Sequence, residues 1–252
     1  MRTLLGLTLA ALLSASAVFA QDGKTIRIAT EGAYPPFNFT AADGTLQGLD
    51  VDIAKALCAE MKANCAIVAQ DWDGMIPALT AGKFDAIIAS MSITDERKQK
   101  IDFTNRYYKT PLAIAVLQEG GPTGTSVSEL EGKTIGAQAA TIQANTAEDI
   151  YGKAGVDIKL YPTQEEAAAD LENGRIDALI SDKFVITDWL NTTGKGCCKL
   201  LGDVAGTDTD VGIGLRKGDD ALKERFNTAI AAIVKNGTYK AIVAKYFPFD
   251  IY

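Results

Sequence analysis

The sequence predicts an α/β protein made of two halves of similar plan that face each other across a cleft. Three observations predict it. Gly82-Lys83-Phe84-Asp85-Ala86-Ile87-Ile88 is echoed by Gly174-Arg175-Ile176-Asp177-Ala178-Leu179-Ile180. Amphipathic stretches precede both copies, over 75–81 and 165–173, so each block reads as helix, glycine C-cap, buried strand. Lys24-Thr25-Ile26 and Lys133-Thr134-Ile135 open one short strand ahead of each block, in the same order. One echo alone would carry little, but two in register indicate related α/β halves.

From the N-terminus, residues 1–20 read as a cleaved secretory leader. Arg2 supplies the positive start, residues 4–13 the apolar stretch, and Val18-Phe19-Ala20 the small-residue cleavage signature. The apolar run is too short to span a bilayer, so the expected product is exported and soluble. Composition then excludes several classes. The 252 residues contain no histidine, which removes His-based triads, HExxH metalloproteases and imidazole acid–base chemistry. With 25 basic against 32 acidic residues, no nucleic-acid partner is expected. No dinucleotide fingerprint, P-loop, EF-hand loop or four-cysteine zinc spacing is present, and neither cofactor nor metal is expected. The acidic run 203–210 has the wrong spacing for calcium and reads as a solvated connection.

Export makes the four cysteines candidates for pairing, with three connectivities open. Leu49, Ile53, Leu57 and Met61 form an apolar helical stripe over 49–64 that also carries Cys58, with Asn64 as its C-cap. A Cys58–Cys65 bridge would staple the end of this helix to the following strand. Adjacent Cys197 and Cys198 either form a vicinal disulfide or stay free.

In open α/β sheets, ligands bind beyond the carboxyl ends of the strands. Just past the paired strands stand Ser90-Met91-Ser92 and Ser181-Asp182; just past the opening strands stand Thr30-Glu31 and Ala139-Ala140-Thr141. If the halves face each other, these four segments meet in one cleft. Thr94 is a natural N-cap, with Asp95 and Glu96 suited to a positive first turn. Arg97 then stands at the third helical position, where it can point back to Ser90 and Ser92 and fork onto a carboxylate. Tyr34-Pro35-Pro36-Phe37 cannot be regular helix. Tyr34 and Trp72 offer aromatic faces near Glu31, suited to a flat or cationic ligand.

These segments resemble the periplasmic solute-binding proteins of polar amino-acid ABC transporters, above all the lysine/arginine/ornithine- and histidine-binding group. The resemblance runs through residues 30–39, 48–54, 72–77, 82–97, 174–182 and 214–217, and Cys58 and Cys65 match a disulfide of that group. It implies a type II periplasmic-binding fold with the ligand cleft between two lobes: residues 24–108 plus 210–252 in one, residues 109–209 inserted as the other, and a two-strand hinge between them. The C-terminal helices are implied to pack back on the first lobe. Arg97, Ser92 and the amides near Thr141 and Ile142 would hold an α-carboxylate. Asp182 and the Ser90 carbonyl would take the α-ammonium, and Glu31, Tyr34, Trp72 and Gln143 would line the side-chain pocket. Glu31, Ala89 and Gln138 depart from the group's usual Asp, Ser and apolar residue. The expectation is a monomeric, non-enzymatic binder of a basic L-amino acid, arginine foremost, that delivers it to an inner-membrane ABC permease. The alternatives are an opine-binding relative or a cyclohexadienyl-dehydratase-like enzyme on the same scaffold.

Overall fold

The fold is given by a computed structural model and is described for residues 25–252. The expected leader 1–20 and Lys24 lie outside these residues.

Two five-stranded sheets share one plan. In the first, the order is Cys65–Ala69, Ile26–Thr30, Ala86–Ile87, Thr209–Leu215, Asp102–Thr110. In the second it is Asp157–Tyr161, Thr134–Gln138, Ala178–Asp182, Leu112–Leu117, Cys198–Asp203. In both, the first three strands are parallel and the last two pairings antiparallel. The opening strand of each echo stands second and the strand after the glycine stands third. A small antiparallel sheet, Ala33–Tyr34, Asn38–Thr40 and Leu46–Gln47, covers one end of the first.

The echo extends to hydrogen bonding. Asp85 Oδ2 accepts from the Arg27 N–H and Asp177 Oδ2 from the Thr134 N–H, stitching third strand to second in each half. The helices before them, Met75–Thr80 and Gln164–Glu172, end alike. Gly82 (φ 75°) donates to Leu79 and Lys83 to Ala78, and Gly174 (φ 64°) donates to Leu171 and Arg175 to Asp170. This paired closure places its pivot in the left-handed region, where glycine has no Cβ penalty.

The first long helix is Leu49–Glu60, capped by Met61 rather than running to Asn64. Lys62 adopts φ 50°, and Lys62 and Ala63 donate to Ala59 and Cys58. The same closure therefore ends this helix early, with lysine at the pivot. Cys58 bonds Cys65, the first residue of the next strand, and Cys197 bonds Cys198, which leaves no free cysteine among the described residues. The C-terminal helices Asp220–Lys235 and Thr238–Val243 return to the first sheet. Phe226, Ile230 and Ile233 share its core with Leu49, Ile53 and Leu57. The second sheet carries apolar clusters of its own, one around Ile114, Ile135 and Ile180 and another around Ala115, Leu171 and Leu179.

The chain passes between the sheets twice, at neighbouring points. Pro111 separates Asp102–Thr110 from Leu112–Leu117, and the return enters Thr209–Leu215. Thr110 pairs with Thr209 and Lys109 with Asp210, while the Val204 N–H donates to Leu112 at 2.9 Å. The run 203–210 is thus more than a solvated connection, since it holds buried Val204 and the second crossover.

Candidate functional site

The carboxyl ends of both sheets face one another. Between them Glu31, Tyr34, Trp72, Ala89, Ser90, Ser92, Arg97, Gln138, Thr141 and Gln143 line a partly open pocket with about 280 Å³ of empty space, open solvent included. Side chains from the two sides meet directly. The Trp72 indole donates to the Ala140 carbonyl at 3.0 Å, Gln138 Nε2 to Glu31 at 2.6 Å, and the Tyr34 hydroxyl to Asp182 at 2.9 Å.

Arg97 sits where its local sequence directs it. Thr94 Oγ1 accepts the Arg97 N–H at 3.2 Å and starts the helix Asp95–Lys100, whose third residue is Arg97. Its side chain turns back into the cleft, where Nη1 donates to the Ser92 carbonyl at 2.9 Å and Nη2 to Ala140 at 3.3 Å. The guanidinium lies 5.3 Å from the Trp72 ring centroid, within cation–π range. Burial pulls its pKa down to about 10.

Two carboxylates stand elsewhere, Glu31 in the pocket wall and Asp182 directly behind Tyr34 and Gln143. Asp182 is 1% exposed, and burial pushes its pKa up to about 7 against the opposing donors Tyr34 and Gln143. Glu31 is likewise raised to about 7 by burial, which outweighs its hydrogen bond from Gln138; the charges of Glu165 and Asp71 push the same way. Thr141 caps the helix Ile142–Thr146, accepting the Ala144 N–H at 3.1 Å. Gln143, one residue into that helix, donates to Tyr34 and Asp182.

Four residues singled out by the sequence need comment. Ser181 and Asp182 are the last two residues of their strand rather than the first beyond it. The parallel partner stops at Leu179, but the antiparallel partner runs on to pair Asp182 with Leu112. Met91 is 1% exposed and packs with Met75 and Ile101, while Ser90 and Ser92 on either side of it line the cleft. The Ile142 side chain packs on the second half's core, so what this residue can offer the cleft is its backbone N–H.

Two contributors carried no legible signal. Ala140 adopts φ 58° and supplies the carbonyl shared by Trp72 and Arg97; an alanine gives no hint of that. Asp50 reads as a helix first-turn acid, yet it is fully buried beneath Ser90 and accepts from Ser90 Oγ, Asn38 Nδ2 and the Tyr107 hydroxyl. Ser90 itself sits at φ 53°, a conformation that costs a non-glycine residue about 1–2 kcal/mol. The assembled site thus offers one desolvated guanidinium and two desolvated carboxylates, with an aromatic face between them. Its charges complement a small molecule that carries one carboxylate and two cationic groups.

Known proteins resemble this chain over almost its whole length. An L-arginine-binding protein from Pseudomonas aeruginosa is 46% identical over 239 residues, 93% of this chain and 92% of the relative. A histidine-binding periplasmic protein from Salmonella typhimurium is 36% identical over 244 residues, 95% and 94% of the two chains. The solved structure of an ancestral arginine-binding protein bound to arginine superposes with a TM-score of 0.84 at 35% identity, covering 90% of this chain and 99% of the other. The fold is that of the type II periplasmic binding proteins. Residues 26–249 match one family over nearly the whole described chain, and the protein belongs to it: the bacterial extracellular solute-binding proteins, family 3.

Proposed function

We propose that the protein is a periplasmic binding protein that captures a basic L-amino acid, arginine foremost, and delivers it as a monomer to an inner-membrane ABC permease. The observation that carries this reading is the charge layout: buried Arg97 on one wall, half-buried Glu31 on another, and buried Asp182 directly behind the lining residues Tyr34 and Gln143. A desolvated guanidinium selects a carboxylate by its fork geometry, and a desolvated carboxylate selects a cation.

In this reading Arg97, Ser92 and the amides at Thr141 and Ile142 hold the α-carboxylate. Asp182 and the Ser90 carbonyl take the α-ammonium, and Glu31 faces the distal cation. Tyr34, Trp72, Gln138 and Gln143 line the side chain. Residues 24–108 with 210–252 form one lobe and 109–209 the other, with the adjacent crossovers as the hinge. Ligand contacts to both lobes favour the closed form, which presents both lobe faces to the permease. Glu31 and Asp182 act as counter-ions rather than proton donors, so the protein is not an enzyme.

A thermal-shift screen tests the reading. At a hundredfold excess over Kd, arginine stabilises the fold by about 2.7 kcal/mol. Lysine, ornithine, histidine and octopine in the same plate separate the neighbouring specificities. A shift with glutamate or glutamine and with none of these cations overturns the reading. Incubation with arogenate or prephenate is expected to yield no aromatic product.

A further inference from the structure

Beneath the cavity, and outside it, lies a carboxylate with no cationic partner. Asp50 is 0% exposed, and its oxygens receive three neutral donors: the Tyr107 hydroxyl at 2.7 Å, Asn38 Nδ2 at 2.8 Å and Ser90 Oγ at 2.9 Å. Among the described residues it forms no ion pair. Burial raises its pKa, opposed by those donors. An apolar side chain would fill such a place without the desolvation cost of a carboxylate, so stability alone does not account for this residue.

Its donors lead to two turns of the cleft wall. Ser90 stands at φ 53°, a conformation that persists only where the surroundings over-determine it. Two contacts do so here. Ser90 Oγ binds Asp50 directly, and the Ser90 N–H donates to the Tyr107 hydroxyl at 3.2 Å, which itself donates to Asp50. On the other side, Asn38 Oδ1 accepts the Gly32 N–H at 2.8 Å, and Gly32 (φ 85°) directly follows Glu31. One buried carboxylate therefore ties the Ser90 turn to the Glu31–Gly32 turn.

We propose that Asp50 is a positioning residue for ligand binding: through Ser90, Tyr107 and Asn38 it holds the Ser90 carbonyl and the Glu31 carboxylate at the separation that fits the two cationic ends of one ligand. The proposal rests on the functional reading above and deepens it. Asp50 touches no ligand; it acts by fixing two groups that do.

The test is calorimetry with L-arginine on the full chain, comparing wild type, Asp50→Asn, Ser90→Gly and the double variant, with melting curves alongside. Asparagine keeps the volume but turns an N–H₂ towards donors that need an acceptor, so about 10- to 100-fold weaker binding is expected. Glycine reaches φ 53° unaided. The Asp50→Asn loss in the Ser90→Gly background is therefore expected to be several-fold smaller than in wild type, a coupling that a merely structural role does not produce. Asp50→Asn binding arginine within twofold of wild type, or losses that simply add, overturns the proposal. Should Asp50→Asn not fold, Tyr107→Phe removes one donor from the network while keeping the buried ring. Loss of about fivefold or more supports the proposal, and smaller loss overturns it. A wild-type chain that binds no amino acid in the same cell overturns the functional reading and this proposal together, whereas an unaffected Asp50→Asn overturns this proposal alone.

Discussion

Replacing Arg97 by alanine is expected to remove binding of every amino-acid ligand to a similar degree, because the α-carboxylate is common to them all. Arg97 is 9% exposed, packs 5.3 Å from the Trp72 ring centroid, and is fixed by its contacts to Ser92 and Ala140 at 2.9 and 3.3 Å. Losing one partner of a hydrogen-bonded charge pair in so dry a place costs about 2–5 kcal/mol. At about 1.4 kcal/mol per tenfold, Kd rises by about 30- to 4000-fold. Lysine at the same position separates charge from shape. It keeps the cation but loses the planar fork and its stacking on Trp72, so Arg97→Lys is expected to fall between wild type and alanine. Calorimetry with arginine, lysine and histidine on each variant, after circular dichroism has established folding, reads both effects. Near-native affinity in Arg97→Ala refutes the reasoning. So does a loss for arginine that spares lysine, because the contact would then lie at the side chain.

If Glu31 faces the distal group as proposed, Glu31→Gln removes that charge and leaves the α-groups served; titration is expected to show arginine and lysine weakened about tenfold or more, and glutamine little changed. The pH dependence follows from the two raised carboxyls, Glu31 and Asp182, both near 7 in the folded chain and ordinary when unfolded. Between about pH 4 and 7 the folded chain therefore binds more protons, so their contribution to stability is present below pH 4 and is lost as pH rises through 7. Ligand cations favour the ionised carboxyls, so arginine binding near pH 6 is expected to release protons and tighten as pH rises. Calorimetry in buffers of different ionisation enthalpy checks this, and no buffer dependence counts against it. Replacing Cys58 and Cys65 by alanine opens a bridge with a sequence separation of 7, and chain entropy puts the loss at about 2.5 kcal/mol. Melting should fall by several degrees, with arginine affinity unchanged.

Much of this was legible because the halves repeat one device. A glycine that closes a helix and an apolar run that follows it fixed the third strand of each sheet, and the sheet order then brought the strand ends together. Arg97 was legible through its neighbours, since a threonine cap followed by two acids sets the helix start and hence the direction of the third side chain. What escaped notice depends on contacts distant in sequence. The end of the first helix turned on Lys62 accepting a left-handed conformation, which local propensity does not favour. Asp182 joined its strand because an antiparallel neighbour outlasts the parallel one. Asp50 is a hub only once Tyr107 and Ser90, 57 and 40 residues away, fold against it. Ala140 acts through its backbone, which no side-chain pattern encodes.

The two crossovers have an architectural consequence. The Leu112 N–H donates to Thr207 Oγ1 at 3.1 Å, so the chain enters and leaves the second sheet at points that touch, although 95 residues separate them. Topologically, that half is a cassette whose two ends can be joined or cut at a single spot. Exchanging it between relatives places both splice points in one short ladder. Glu31, Arg97 and the Ser90 turn would remain with the host while Gln138, Gln143 and Asp182 travel with the insert, and the packing of Phe184 and Val185 on the host core is the seam that such an exchange has to match.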